Sequence, residues 1–206
     1  MRPRIKICGV TSASQAEAAA EAGVDALGLV FHPNSPRAIT LSQAVEISRA
    51  IPAFVSVVGL FMDPEKARVN EVLARVPLEM LQFHGRESAA FCRAFGRRYI
   101  KALGMSGGVD PMTLAGEYED AAALLLDSHA GNRAGGTGEV FDWQRLPQAL
   151  QRPLVLAGGL SPGNVARAVE QVRPWGVDVS SGVESAPGVK DPVKMSHFIN
   201  EVHRVC

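Results

Sequence analysis

The feature that most constrains this sequence is an alternation, repeated eight times, between a short apolar run and a longer segment with helix signals. The apolar runs are continuous and do not alternate with polar residues, which is typical of strands buried on both faces. Such strands form parallel sheets that are covered by their connecting helices. The predicted strands are Ile5–Cys8, Ala26–Phe31, Phe54–Phe61, Leu78–Phe83, Tyr99–Leu103, Ala122–Asp127, Leu154–Ala157 and Val177–Ser180.

Helix-capping signals follow most of these runs. The spacing of a capping box, a hydroxyl residue with Gln three positions later, begins at Ser12 and at Thr40. A capping residue followed by proline predicts further helix starts at Asp63, Ser161 and Asp191. Strands and helices therefore alternate along the whole chain.

Eight successive βα units favour a closed (β/α)8 barrel that forms one domain over residues 1–206. The chain is shorter than the ~250 residues typical of this fold, which predicts short loops and a compact barrel. A helix is also predicted over 87–95. The helices after strands 5 and 6, over 110–118 and 142–150, are interrupted by glycine or proline and should be short. An open doubly wound sheet is the alternative, but it usually has fewer units and leaves two edge strands.

Composition narrows the classes of partner. With 21 basic and 21 acidic residues the formal net charge is +0, which argues against nucleic acid as the main partner. No apolar run approaches the ~20 residues of a membrane span, and no secretory signal is seen. The three cysteines are widely spaced without a metal-binding pattern, so we expect a reduced cytoplasmic protein without a metal site. Zero net charge and short loops favour a monomer.

Polar residues cluster where a barrel would expose them. The carboxyl ends of the strands share one rim, and enzymes with this architecture carry their chemistry there. The candidates at or just after predicted strand ends are Cys8, Arg37, Gln82, His84, Asp127 and Asp178.

Each candidate also has a purely structural interpretation. Cys8 could be a small buried hydrophobe, and Asp127 could cap a turn. Arg37 could be a solvated loop residue, although a planar guanidinium on a rim suits a substrate carboxylate. His84 could be a structural histidine. Asp178 could hold a sugar hydroxyl or could brace the loop that follows it.

Glycine-rich loops follow the last three predicted strands. Glycine allows backbone N–H groups to approach an anion closely, and the loops after strands 7 and 8 of such barrels frequently bind phosphate. Two such loops on adjacent strands favour a phosphate site over simple turns. The candidate phosphate-binding residues are Gly136, Thr137, Gly138, Gly158, Gly159, Ser180, Ser181 and Gly182.

Taken together, the ordered motifs closely resemble the phosphoribosylanthranilate isomerase family from end to end. The motifs that carry the resemblance are Lys6–Thr11, Asp25–Phe31, Ser35–Arg37, Gln82–Gly85, Leu124–Ser128, Gly135–Gly138, Leu156–Leu160, Gly176–Glu184 and Pro187–Asp191.

The resemblance implies an Amadori rearrangement in tryptophan biosynthesis, a reaction that requires no metal or redox cofactor. The substrate would be N-(5-phosphoribosyl)anthranilate and the product 1-(2-carboxyphenylamino)-1-deoxy-D-ribulose 5-phosphate. By this likeness Cys8 is the general base, Asp127 the general acid and Arg37 the ligand of the anthranilate carboxylate. The glycine loops would bind phosphate. The ordinary cysteine pKa of ~8.5 predicts a fair fraction of thiolate near neutral pH.

We also expect Gln82, His84 and Asp178 to contact the substrate.

The residues leave other functions open. A sugar-phosphate epimerase would normally carry histidine and aspartate metal ligands, and indoleglycerol-phosphate synthase a lysine acid with paired glutamates. A non-catalytic phosphate sensor would need no thiol opposite a carboxyl group. The related isomerisation in the histidine pathway usually employs two aspartates, so a protein with Cys8 is not expected to serve both pathways.

Overall fold

The computed structural model describes residues 2–104, 115–128 and 152–206, and its eight main strands form the closed parallel barrel that the sequence predicts. The strands, in barrel order, are β1 (Arg4–Cys8), β2 (Ala26–Val30), β3 (Ser56–Phe61), β4 (Met80–Phe83), β5 (Tyr99–Gly104), β6 (Ala123–Asp127), β7 (Leu154–Leu156) and β8 (Gly176–Val179). The helices are α1 (Ala13–Glu21), α2 (Leu41–Ala50), α3 (Lys66–Leu73), α4 (Ala89–Arg93), α5 (Val165–Val172) and α6 (Pro192–Arg204).

Strand β1 shows how side chains divide between the two layers of the barrel. Ile5 and Ile7 are fully buried in the main core between strands and helices. Cys8 instead packs with Val30 and Leu60. Because successive side chains on a strand point to opposite faces, Lys6 and Cys8 both face the barrel interior.

An aromatic cluster anchors β4 to the helical layer. The ring of Phe83 lies between 5.8 and 6.2 Å from the rings of Phe61, Phe91, Phe95 and Tyr99, measured between centroids. Aromatic pairs at this separation stabilise a core beyond the area that they bury. Phe83 faces outward, so its neighbour Gln82 faces the interior.

The predicted start of α3 at Asp63 is wrong. The backbone φ of Asp63 is +46°, and the helix begins at Lys66. The amide of Asp63 donates to Glu87 Oε1 at 2.8 Å, and its carboxylate accepts from the amide of Arg86 at 2.6 Å. These contacts between two loops occupy the groups that a helix cap would use.

The fourth helix is also shorter than predicted. It begins after Ser88, whose hydroxyl accepts from the amide of Phe91. Glu87 lies outside the helix. Its carboxylate is buried against Lys101 at 2.8 Å and also accepts from the amide of Gly85. Lys101 in turn donates to the carbonyl of Gly85 at 2.6 Å. The buried pair holds the loop that follows β4.

Two further boundaries differ from the prediction. Helix α5 begins after Asn164 and not at Ser161, because the Asn164 side chain accepts from the Ser161 amide at 2.8 Å and closes a turn before the helix. Strand β3 begins at Ser56, since Phe54 is fully exposed with a φ of +75°. The other predicted strand ends shift by up to two residues.

Several local predictions are confirmed. Thr40 forms a complete capping box, Ser12 caps α1, and Asp191 caps α6 ahead of a proline. An unpredicted hairpin of β9 (Glu184–Ala186) and β10 (Val189–Lys190) follows a short 3-10 turn after β8.

Part of the prediction lies beyond the described residues. This applies to the predicted helix over 142–150 and to most of the one over 110–118. In the part of the chain that the structure describes, no helix is long and apolar enough to cross a membrane.

Candidate active site

The thiol of Cys8 lies inside the carboxyl end of the barrel, and the residue is 5 % exposed. Gly28 on the adjacent strand makes room for it, since a Cβ at position 28 would lie 2.7 Å from the sulfur. Burial raises the pKa of the thiol above its ordinary value, and the nearby Asp178 raises it further. The positive charges of Lys6 and Lys190 oppose this shift without cancelling it. Burial therefore disfavours the thiolate that the ordinary cysteine pKa predicts for this residue.

Lys6 and Asp178 form a buried ion pair beside this thiol. The ammonium Nζ lies 2.9 Å from Asp178 Oδ1, and the two residues are partners in the register of β1 and β8. Burial lowers the pKa of Lys6, but Asp178 and Cys8 outweigh it and raise that pKa overall. Burial raises the pKa of Asp178 more than Lys6 lowers it. One ammonium thus compensates a carboxylate and borders a thiol.

A second chain of contacts reaches Asp127 at the end of β6. His84 Nε2 lies 3.4 Å from Asp127 Oδ2, and His84 Nδ1 lies 3.1 Å from the amide nitrogen of Gln82. If Gln82 donates to Nδ1, the ring proton of a neutral His84 sits on Nε2. Among the described residues the buried Gln82 Oε1 has no hydrogen-bond partner.

Asp178 connects the two groups of side chains. A protonated His84 would lower the pKa of the Asp178 carboxyl, and an ionised Asp127 raises it. Strand β8 also lies between β6 and β1 along the shorter arc of the barrel. The predicted residues Cys8, Asp127, His84 and Asp178 therefore meet at one rim.

Arg37 also lies at this rim, but its guanidinium is engaged by a protein carboxylate. Nε and Nη2 donate to the two oxygens of Glu184, each at 2.7 Å. Lys190 donates to Glu184 Oε1 at 2.7 Å and to the carbonyl and hydroxyl oxygens of Ser180 at 3.1 and 3.3 Å. Burial alone would raise the pKa of Glu184, yet the hydrogen bonds from Arg37 and Lys190 hold it below its ordinary value.

The glycine loops after β7 and β8 pack against their neighbours. A Cβ on Gly158 would collide with the backbone and hydroxyl of Ser128, and one on Gly182 would collide with the carbonyl of Leu160. Gly158 and Gly159 also have φ values of +81° and +66°. Close packing at the end of the barrel thus requires glycine at these positions, whether or not phosphate binds. Of the other candidates for phosphate binding, Ser181 opens the 3-10 turn, and Gly136, Thr137 and Gly138 lie outside the described residues.

The sequence model of the family described as N-(5'-phosphoribosyl)anthranilate (PRA) isomerase matches residues 5–201. The chain belongs to this family. A relative from Nitrosococcus oceani, named N-(5'-phosphoribosyl)anthranilate isomerase, is 50 % identical over 205 residues and is covered in full, as is this chain. The protein is therefore an isomerase.

Solved structures of the PRA isomerase family agree with the fold. One, a phosphoribosyl anthranilate isomerase in complex with reduced 1-(o-carboxyphenylamino)-1-deoxyribulose 5-phosphate, is 38 % identical with a TM-score of 0.83. Another, from Thermotoga maritima, is described as mutually generated monomers of a dimeric enzyme and is 37 % identical with a TM-score of 0.83. In both comparisons 98 % of this chain and 99 % of the other are covered.

In this PRA isomerase family member, three charged residues of the rim are not among the candidates predicted from the sequence: Lys6, Glu184 and Lys190. Lys6 had a usable signal, because a lysine two positions before Cys8 on a buried strand must share its inward face. Glu184 and Lys190 had no comparable signal. They reach the site through the hairpin of β9 and β10, which the sequence pattern did not reveal.

Proposed function

We propose that this isomerase converts N-(5-phosphoribosyl)anthranilate into 1-(2-carboxyphenylamino)-1-deoxy-D-ribulose 5-phosphate, a step of tryptophan biosynthesis. The observation that carries the proposal is one rim with the Cys8 thiol at the end of β1 and the Asp127 carboxyl at the end of β6. An Amadori rearrangement needs an acid at the sugar ring oxygen and a base at the carbon next to the anomeric carbon. The family match supplies the substrate class.

Asp127 acts as the general acid in this proposal. It gives its proton to the furanose ring oxygen, which becomes a hydroxyl group as the ring opens to an iminium. Its position at the end of β6, with Oδ2 3.4 Å from His84 Nε2, supports this role because it keeps the carboxyl group at the rim.

Cys8 acts as the general base. The iminium acidifies the neighbouring sugar C–H, and the thiolate removes that proton to give an enolamine. The enolamine then tautomerises to the ketone. Exchange of protons with solvent returns Cys8 to thiolate and Asp127 to the acid. The thiol is oriented by packing against Gly28 and by the charge of Lys6.

The charges around Arg37 support an anion-binding role. Among the described residues, Arg37 and Lys190 place two positive charges against the Glu184 carboxylate, an environment that suits an incoming carboxylate. Arg37 has a planar guanidinium that Glu184 holds in a defined orientation. We assign the anthranilate carboxylate to Arg37, the sugar hydroxyls to Gln82, His84 and Asp178, and the phosphate to the glycine loops.

A turnover assay tests the proposal directly. The purified protein is mixed with N-(5-phosphoribosyl)anthranilate, and the loss of anthranilate fluorescence is followed with product identification by mass spectrometry. Formation of the deoxyribulose phosphate product supports the proposal. Binding without turnover would contradict it and would indicate a ligand sensor instead.

The oligomeric state and the cellular compartment of the protein remain predictions. Charge and loop lengths predict a monomer, whereas the Thermotoga maritima relative is described as dimeric. Light scattering on the purified protein distinguishes the two. A cytoplasmic location is expected for an enzyme of amino-acid biosynthesis, and fractionation of the source cells tests it.

A further inference from the structure

The Lys6 ammonium has two acidic neighbours at the bottom of the active site. Its Nζ lies 2.9 Å from Asp178 Oδ1, and its charge acts on the thiol of Cys8, two residues along β1. All three residues are less than a tenth exposed. Lys6 and Cys8 share the inward face of β1, and Asp178 on β8 is the register partner of Lys6.

The positive charge of Lys6 can be balanced in two ways within this cluster. A buried charge is costly unless it is paired, and Lys6 supplies one positive charge for two groups that can be negative. In the free protein the ammonium pairs with Asp178, so Cys8 is favoured as a neutral thiol. When Cys8 is ionised, the same ammonium must also stabilise the thiolate.

Other charged groups border the cluster on each side. Lys190, on β10, favours the thiolate through its positive charge, but its donors are engaged by Glu184 and Ser180. Arg37 also senses Cys8 and is held by Glu184. On the side of β4 and β6, His84 and Asp127 act on Asp178.

We propose that Lys6 is a positioning residue that controls the ionisation of Cys8, and that Asp178 competes with the thiolate for its ammonium. The inference rests on the proposed function, in which the thiolate is the base. Ionisation releases the thiol proton to solvent and leaves Lys6 protonated, giving an ammonium–thiolate pair. A substrate hydroxyl that donates to Asp178 weakens the hold of that carboxylate on Lys6, so substrate binding favours the reactive form of Cys8.

The test measures the ionisation of Cys8 without any turnover. The protein carries Cys206→Ser, because Cys206 is the exposed thiol, whereas burial raises the pKa of Cys92 to about 12. Iodoacetamide reacts with thiolate only, so its rate of reaction at the Cys8 peptide, followed by mass spectrometry across pH, gives the titration midpoint. The midpoint is independent of how accessible the sulfur is.

Removing Asp178 and removing Lys6 should shift the titration midpoint of Cys8 in opposite directions. Asp178→Asn removes the competing carboxylate, so the midpoint should fall. Lys6→Met removes the cation, so the midpoint should rise. A shift of one pH unit corresponds to about a tenfold change in alkylation rate at a pH below the midpoint. A merely structural role for the pair would not produce opposite shifts.

A double variant controls for misfolding of Lys6→Met. Lys6→Met leaves Asp178 buried without its partner, so thermal melting by circular dichroism accompanies each variant. Lys6→Met/Asp178→Asn carries neutral groups only, and its midpoint should lie above that of Asp178→Asn. An Asp178→Asn midpoint that stays or rises, or a double variant that matches Asp178→Asn, overturns the inference. Failure of the unaltered protein to turn over substrate defeats the proposed function alone, since the midpoints are read without substrate.

Discussion

The guanidinium of Arg37 donates two hydrogen bonds of 2.7 Å each to the carboxylate of Glu184, although the two residues are 147 positions apart. Lys190 adds a third contact of 2.7 Å to the same carboxylate. Glu184 therefore orients the residue that we assign to the substrate carboxylate, and it offsets part of the positive charge there. The hairpin of β9 and β10 thus contributes to the site from outside the barrel strands.

Replacing Arg37 by Met should mainly weaken substrate binding. A hydrogen bond to a charged group contributes about 1.5–3 kcal/mol, so KM should rise roughly tenfold or more with a smaller change in kcat. Steady-state kinetics measure both constants. An unchanged KM would contradict the carboxylate role of Arg37.

Replacing Glu184 by Gln should lower stability and also raise KM, because Arg37 loses the carboxylate that orients it. The change leaves two cations beside a neutral amide, and loss of one partner of a buried ion pair costs on the order of 3 kcal/mol. Urea unfolding at neutral pH measures the stability, and the kinetics of Arg37→Met serve for comparison. Loss of stability with an unchanged KM would restrict Glu184 to a structural role.

Cys8→Ala and Asp127→Asn should each abolish nearly all turnover. General acid–base groups typically contribute about 10²- to 10⁴-fold, and each change removes one of the two. Rates of fluorescence loss measure the effect, with circular dichroism to confirm the fold. Cys206→Ser is the matched control, because it alters an exposed thiol in the last residue and should leave the rate unchanged. Substantial activity in either site variant would refute the assigned mechanism.

Gln82→Leu should separate stability from activity. The buried Gln82 amide holds His84 Nδ1 at 3.1 Å while its Oε1 has no partner among the described residues. An apolar residue of similar size removes the unsatisfied oxygen, so the free energy of unfolding should change little or increase. Turnover should fall by about tenfold if His84 depends on this contact to face Asp127. Full turnover in this variant would show that Gln82 does not position His84.

Asp25 provides a pH-dependent contribution to stability away from the rim. Burial raises the pKa of its carboxyl, but the hydrogen bonds from Arg2 and from the amide of Ile5 outweigh burial and lower that pKa overall. The stabilisation is therefore complete above the unfolded-chain value of about 3.9 and is lost as pH falls toward the folded value.

Asp25→Asn should accordingly reduce stability most at neutral pH. The expected loss is on the order of 1 kcal/mol, because the pair is partly exposed. Urea unfolding from neutral pH down to the acid limit should show the wild-type and variant curves converging as pH falls. A constant difference across that range would exclude a contribution from ionisation of Asp25.

Local patterns predicted the elements that local physics governs. The Thr40 capping box and the Asp191-Pro192 start of α6 form as predicted, because their partners lie within three residues in the sequence. Asp63 has the same local signal as Asp191 but does not cap a helix. Its amide and carboxylate are engaged by Arg86 and Glu87, more than twenty residues away, and no local pattern encodes that competition.

The sequence by itself determined the eight strands, their burial on both faces and the placement of Cys8 and Asp127 at strand ends, because hydrophobic periodicity and strand order act along the chain. The tertiary structure alone decided the charge environment of those residues. It paired Lys6 with Asp178 across β1 and β8, and Arg37 with Glu184 through the hairpin. Closure of the barrel brings these distant groups into one buried space. There desolvation and a few short contacts set their ionisation, and burial raises the pKa of Cys8 above that of a free cysteine.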